Sequence, residues 1–505
     1  MKEGRTKRAL INSVISIVTK LLLTIAPFAV RTAMIRSLGI EYLGLNSLFS
    51  SILGMLNLTE MGFGSAIIFS MYKPMADGNI AEVSGLLNFY KGMYRLVGLV
   101  IVIAGSICIP FLQCFISSDY PPEINIYLVY IIYLINTSLS YFLFAYKNSV
   151  LIANMRNDVD SIVTTSCQLL MYSVQVFLLF TMKNYYVYII VLPITTLANN
   201  IIKSVIVDRM YPQLDKKIKV PKSKRRDILS RVGALVGNKI GGVVFSSVDS
   251  IVISVFLGLT ILGRYSNYYM VFTSVAGMVS IVFSSIQAVI GNKMVSNSVE
   301  ENYSVFKELV FINGWITVLC TCCFAVLYQP FIEIWVGREN LLPLDIAILL
   351  SFYYFVRGIR QVCFTYKEAA GMWREDFLKP YISVAVNLSL NIILVKLIGL
   401  PGVIISSVVA LLFIEIPWET HVFFKLYFGK KSRDYILMTV KFFVVVTISI
   451  PVLLVIQQLI PITIGGLVVR IGLCVIIPNL VFFPLFIKNE ELYRVKNRIK
   501  LIKRR

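Results

Sequence analysis

Apolar residues in this chain come in long, nearly unbroken runs. Runs of roughly 20 residues recur from near residue 9 to near residue 487, and as a helix each is long enough to cross about 30 Å of hydrocarbon. Soluble amphipathic helices would show a one-sided apolar stripe instead. Membrane barrel strands would show segments of about ten residues alternating in polarity. Neither pattern is present. The runs predict an all-α polytopic membrane protein with about fourteen transmembrane helices. They lie near residues 9–35, 43–70, 88–116, 124–146, 159–182, 185–207, 233–257, 265–290, 305–328, 344–366, 379–398, 402–424, 435–458 and 464–487. An even number places both termini on one side of the membrane.

Charge decides which side. Charged residues make up only 15% of the 505 positions, yet the formal net charge is +21. With the span ends allowed three residues of play, 34 of the 48 Lys and Arg fall on one set of loops and tails. The opposite set holds only Arg36, Lys183, Arg264 and Arg338. Cytoplasmic loops are the basic ones, so both termini are expected in the cytoplasm. This asymmetry explains the net charge without nucleic acid as a partner. The basic segment 215–232 reads as a cytoplasmic linker between lobes, and with the tail RVKNRIKLIKRR it is suited to anionic lipid headgroups. The basic N-terminus MKEGRTKR precedes an apolar segment too long for a signal peptide, so an uncleaved first span is expected. The outer loops are all short, which excludes a sizeable external catalytic domain.

A repeat divides the chain. Residues 38–44 read LGIEYLG and residues 257–263 read LGLTILG, an offset of 219. Tyr146-Lys147 followed by Arg156-Asn157-Asp158 matches Tyr366-Lys367 followed by Arg374-Glu375-Asp376, at offsets of 220 and 218. The two matches fall at equivalent places of two six-span sets. The expected organisation is an N-lobe over residues 1–214 and a C-lobe over 233–430. Residues 431–505 add two further spans and a basic cytoplasmic tail. Six spans per lobe is even, so both lobes insert the same way up, with a pseudo-twofold along the membrane normal.

Three stretches carry a family resemblance. RSLGIEYLGLNSLFSSILGMLNLTEMGFGSAI followed by YKPMADGNIAEVSGLLNFYK resembles the N-terminal signature of Wzx-type oligosaccharide flippases of the polysaccharide biosynthesis family. SSVDSIVISVFLGLTILGRYSNYYMV resembles that family's seventh-to-eighth helix segment, and YKEAAGMWREDFLKP its loop between helices ten and eleven. The superfamily, abbreviated MOP for multidrug/oligosaccharidyl-lipid/polysaccharide, also holds lipid II flippases and MATE exporters. The resemblance implies two six-helix lobes around a central cavity that opens alternately to each side. It further implies outward movement of undecaprenyl-diphosphate-linked oligosaccharide repeat units across the bacterial cytoplasmic membrane, for surface polysaccharide. Membrane lipids and other polysaccharide assembly proteins are the further partners expected.

Ionisable residues within spans are expensive and mark functional candidates. Arg95, Lys396, Lys441 and Arg470 lie close enough to a span end to snorkel. Lys20, Arg31, Lys239, Arg357 and Arg360 lie deeper. Adding 219 to Lys20 gives Lys239, so both halves carry lysine at one register of their first span. The resemblance implies that helices 1 and 7 line the cavity, where two such cations suit a diphosphate; lysine binds phosphate as a point charge, and arginine adds bidentate geometry. Arg357 and Arg360 are three apart on one helix and are candidates to extend that surface. Glu60, Asp249 and Glu415, with Glu419, are candidates to neutralise these cations or to take up a coupling H⁺ or Na⁺. Pro27, Pro193, Pro417 and Pro451 are expected to kink their helices. Tyr127, Tyr130, Tyr133, Tyr268 and Tyr269 are expected in interfacial belts.

No cofactor or catalytic centre is expected. The eight cysteines all sit in apolar segments, as small hydrophobes, and His421 is the single histidine; together they make no zinc site. No Gly-x-x-x-x-Gly-Lys-Ser/Thr loop is present. Two alternatives to the flippase remain. A MATE-like exporter predicts an acidic cavity; a membrane-embedded polymerase or glycosyltransferase predicts a large outer loop.

Overall fold

The computed structural model describes residues 2–57, 63–117, 120–214, 218–372 and 375–502, with the side chains of 2–17, 63, 65, 227, 230–246, 288 and 499–502 outside the description. Among the described residues there are helices and no strand. The helices are α1 (Lys2–Ser37), α2 (Ile40–Leu56), α3 (Phe63–Ala76), α4 (Ile80–Cys108), α5 (Ile126–Phe142), α6 (Asn148–Ala153), α7 (Asn157–Met182), α8 (Tyr185–Met210) and α9 (Lys222–Leu257). They continue with α10 (Leu259–Ser296), α11 (Val299–Val336), α12 (Leu344–Ala369), α13 (Lys379–Ile398), α14 (Leu400–Ala410), α15 (Ile416–Phe423), α16 (Arg433–Ile456), α17 (Ile464–Phe486) and α18 (Glu490–Ile502).

Local chemistry starts these helices where the sequence changes character. The side chains of Asn79, Asn125, Asn184 and Thr463 accept N–H groups of the first turns of α4, α5, α8 and α17. Ser298 and Glu301 form a reciprocal capping box on α11. Each bond satisfies donors that a helix start leaves open.

Eleven of the described helical segments are long and apolar enough to cross a membrane, or twelve if the 47° bend between α5 and the segment Ala145–Ala153 lies within one span. The expected span near 43–70 is instead covered by two helices, α2 ending at its C-cap Asn57 and α3 starting at Phe63. The described side chains of α9 include the short apolar stretch Ser247–Leu257; most of the expected span near 233–257 lies outside the described side chains. Leu400–Phe428 is a single span in which α14 and α15 are joined and followed by π-helical turns at Leu411–Glu415 and Phe424–Phe428.

Contacts divide the chain into two units, Met1–Gly263 and Arg264–Arg505. In the first unit the two repeat motifs meet each other. A Cβ on Gly44 would lie 2.2 Å from the Leu259 carbonyl oxygen, and one on Gly263 would lie 2.4 Å from that of Ile40. The 219-residue offset turns one contact into the other. Thr260 Oγ1 donates to Glu41 Oε1 at 3.0 Å, and these two positions are each other's equivalents. Reciprocal contacts of this kind are the mark of a local twofold. The turns that lead into the motifs use Gly39 (φ 121°) and Gly258 (φ 86°), where a side chain would be strained.

Tyrosines line the interior of this unit rather than an interfacial belt. Tyr130 is fully buried and donates to the Gly105 carbonyl at 3.0 Å; Tyr133 is buried and donates to Asn46 at 2.7 Å. In the second unit Tyr268 is fully buried between Gln329 and the Leu342 N–H. The belt expectation fails for these three because each hydroxyl finds a partner inside the protein, which makes burial of the ring favourable. Tyr127 and Tyr269 are half-buried.

The second unit is organised on α11. Phe306, Phe423, Phe424 and Phe428 form an aromatic core with Tyr303 and Tyr435. Phe442, Phe482 and Phe486 of α16 and α17 stack together and pack on Phe311 of α11. The pair α13–α14 is joined by a buried ladder in which Asn387 donates to Ser406 and Ser407 and Ser406 donates to Asn391. Such side-chain bonds between helices replace the hydrophobic drive that lipid does not supply. Arg470 does not snorkel: its guanidinium is buried and donates to the carbonyls of Gln457, Ile460 and Pro461, clamping the turn before α17. The tail helix α18 docks on α11 through Arg498–Glu308 (2.8 Å) and Lys307–Glu491 (3.5 Å).

Candidate functional site

The first unit holds three of the candidate charges that are described. Lys20 is exposed on α1, and its side chain has no carboxylate partner among the described residues. Arg31, three turns further along α1, is half-buried and in electrostatic range of Tyr188. Asp249 on α9 is 5% exposed. Glu60 and the side chain of Lys239 lie outside the described residues.

Other charges in this unit are paired. Buried Lys147 donates to both Asp208 carboxylate oxygens, at 2.7 and 2.6 Å, and to Ser204 at 2.8 Å. Lys203 pairs with Asp160 at 2.5 Å, and Arg156 pairs with Asp158 at 3.0 Å. These ties connect α8 to the α5–α6 bend and to α7.

In the second unit Arg357 and Arg360 have opposite fates. Arg357 sits at the middle of α12, is exposed, and lies 5.7 Å from the Phe272 ring centre. It has no carboxylate partner among the described residues. Arg360 grips Glu419 with two bonds of 2.6 Å and reaches Glu415 at 2.6 Å. Lys379 pairs with both Glu419 and Asp376, and Lys367 pairs with Asp376. Ser383 donates to Glu415 at 2.9 Å.

Asp376 and Glu419 are fully buried, and Lys367 and Lys379 nearly so. Three cations thus face two buried carboxylates and the half-buried Glu415, locking α12, α13 and the α14–α15 span together. A buried ion is tolerated only with such pairing. Glu415 therefore serves as a charge partner of Arg360 in this geometry. Sequence reasoning placed Arg357 and Arg360 on one surface from their spacing. It missed Lys147, Lys367, Asp376 and Lys379 as interior charges, and the exposed Asp208 as a partner, because they fall at predicted span ends. The signal was present: Lys147 and Lys367 are the lysines of the two Tyr-Lys repeats, and both are buried and neutralised.

All eight cysteines are free, and no cluster of metal-ligating side chains occurs among the described residues.

The fold is shared with a lipid II flippase and with transporters described as members of the MOP superfamily. The chain superposes on the lipid II flippase MurJ in an inward closed conformation with a TM-score of 0.66 at 15% identity, over 94% of this chain and 99% of that one. An inward-facing MATE multidrug transporter gives 0.61 at 13% identity, over 83% and 98%. A MOP transporter from Pyrococcus furiosus, described with a binding pocket of reverse polarity, gives 0.55 at 12% identity, over 84% and 97%. Within that fold, residues 9–290 match the family of polysaccharide biosynthesis proteins, and the chain belongs to it. No curated protein sequence matches the chain.

Proposed function

We propose that this protein is a flippase for polyprenyl-diphosphate-linked oligosaccharides, carrying them from the cytoplasmic to the outer leaflet of a bacterial cytoplasmic membrane by alternating access. The observation that carries the reading is Arg357: an exposed guanidinium at the middle of an apolar span with no carboxylate partner among the described residues. Lys20 has the same character on α1. An unneutralised cation in a span is expensive, and a diphosphate cargo offsets that cost. Membership in a polysaccharide biosynthesis family supplies the cargo class. The diphosphate and sugars would use the polar interior while the polyprenyl chain stays in lipid.

Two further points support the arrangement. Counting the eleven spans, the bent pair and the two shorter apolar helices Ile40–Leu56 and Ser247–Leu257 as one crossing each would make fourteen, the number read from the sequence. That count keeps both termini cytoplasmic, in agreement with the charge asymmetry. The reciprocal contact of the two repeat motifs fits two lobes related by a twofold. A MATE-like exporter is disfavoured because Glu415, Glu419 and Asp376, the carboxylates that would attract a cationic drug, are spent on Arg360, Lys367 and Lys379. A polymerase or glycosyltransferase is disfavoured by the short outer loops. A coupling H⁺ or Na⁺ belongs to this proposal, with Asp249 as its candidate site and Arg31 and Lys239 as neighbours of the same first spans.

Lys20→Glu combined with Lys239→Glu, and separately Arg357→Glu, should abolish translocation of the lipid-linked sugar in vesicles while the protein still elutes as a folded particle. Full translocation by all of these variants would rule out the cationic diphosphate site.

A further inference from the structure

Two neighbouring cavities in the second unit share His421. The first, about 660 Å³, is lined by Phe424, Lys425, Lys430, Lys431 and Arg433, with Ile436 at its edge. The second, about 600 Å³, is lined by Ile382, Phe413, Pro417 and Trp418, with the Glu375 carboxylate also on its wall. One is basic and lies at the end of the Leu400–Phe428 span; the other is mainly apolar and runs along the span towards its middle at Phe413. The charge asymmetry assigns this loop to the cytoplasmic face.

The four cations of the first cavity stand apart from others in the same unit. Arg360, Lys367, Lys379, Lys307, Arg494 and Arg498 each have a carboxylate partner. Lys425, Lys430, Lys431 and Arg433 have none among the described residues. Lys430 instead lies 4.6 Å over the Tyr303 ring, and the nearby Asp434 carboxylate accepts the Tyr303 hydroxyl at 2.9 Å. The chain turns at Gly429 (φ 61°), which brings Lys425 of the π-helical turn, Lys430 and Lys431 of the loop and Arg433 at the start of α16 to one cavity, where they repel one another. The side chain of Ser432, the N-cap of α16, makes no capping bond, and the positive end of that helix dipole adds to the field.

We infer that the two cavities together hold one anionic phospholipid of the cytoplasmic leaflet. Its phosphate sits among Lys425, Lys430, Lys431 and Arg433, and an acyl chain runs along Trp418, Pro417 and Phe413. A phosphate alone would satisfy the cations but leave the mainly apolar second cavity unfilled. A hydrocarbon chain alone would leave four cations unneutralised. Each basic side chain near an anionic surface contributes about 1 kcal/mol, so a cluster of four separates anionic from neutral headgroups. The site is independent of the transported cargo.

The test uses the intact protein in nanodiscs and native mass spectrometry of the lipids it retains. Phosphatidylglycerol should be retained at least about tenfold over phosphatidylcholine. The variant Lys425→Gln/Lys430→Gln/Lys431→Gln/Arg433→Gln should lose that preference. Neutralising Lys219, Lys222, Arg225 and Arg226 of the linker should leave it intact. Equal retention of the two lipids by the wild-type protein would overturn the inference, as would equal loss in both variants. Displacement by millimolar inorganic phosphate would assign the cavity to a soluble anion, and preferential retention of a polyprenyl phosphate would assign it to the cargo's lipid; either also overturns it.

Discussion

Arg357 and Arg360, three positions apart, show how little spacing alone says about an intramembrane charge. Both project from α12, yet Arg360 meets Glu415 and Glu419 while Arg357 lies near the Phe272 ring and meets no carboxylate among the described residues. The consequence is a separation of effects. Arg360→Ala leaves Glu419 buried beside one remaining cation, and losing one partner of a buried pair costs about 3–5 kcal/mol. Thermal unfolding in detergent should therefore drop markedly for Arg360→Ala and stay near wild type for Arg357→Ala. The opposite ranking would mean that the network is not what holds this unit together. Replacing Arg360 and Glu419 together by Met and Leu removes one buried charge of each sign and leaves the half-buried Glu415 its Ser383 bond, so it should recover part of the loss.

At the scale of elements, glycines decide how closely helices approach. Gly44 and Gly263 allow the backbone of each repeat motif to touch the other, and a Cβ at either site would fall far inside van der Waals contact with a carbonyl oxygen. Backbone on both sides leaves no flexible side chain to yield. Gly44→Val should therefore prevent this contact and the state in which it forms. Overpacking of this kind costs typically about 1–3 kcal/mol, enough to shift a two-state population severalfold. Cysteines placed at Glu41 and Thr260 should cross-link readily in the parent and poorly in Gly44→Val. Unchanged cross-linking would show that the helices simply slide apart without consequence. The Leu400–Phe428 span carries a different device: two π-helical turns flank Pro417 and its two glutamates. Glu415 and Glu419, four apart, lie on one helix face, and both reach Arg360.

At the scale of the whole molecule, orientation is the claim most open to measurement. The basic linker and tail should face the cytoplasm, and the short loop bearing Arg338 should face outward. In a variant whose eight native cysteines are replaced, a single cysteine at Lys222 should be labelled only after the membrane is permeabilised. One at Arg338 should be labelled in intact cells. Reversal of the two would invert the proposed direction of transport along with the topology. The two docking pairs on α18, Arg498–Glu308 and Lys307–Glu491, place the tail helix on α11; a purely lipid-bound tail would not need them.

Much of the architecture was legible because it depends on one-dimensional quantities. Hydrocarbon thickness sets the length of an apolar run, and leaflet asymmetry sorts lysine and arginine by loop; both survive in a linear string. The 219-residue offset also survives, and the reciprocal Gly44–Leu259 and Gly263–Ile40 contacts give it a three-dimensional meaning. What only the tertiary structure decided is which charges are already answered. Lys367 and Asp376 are nine positions apart, but Lys147 meets Asp208 and Lys379 meets Glu419 across different helices. The tyrosine belt failed for the same reason, since Tyr130 and Tyr133 found acceptors on neighbouring helices. A side chain's cost in a membrane is set by its partners, and partners are brought by packing. The string of residues could name the cations of the spans; only the fold could separate Arg357, exposed and without a carboxylate partner among the described residues, from Arg360, which is bound to its own protein.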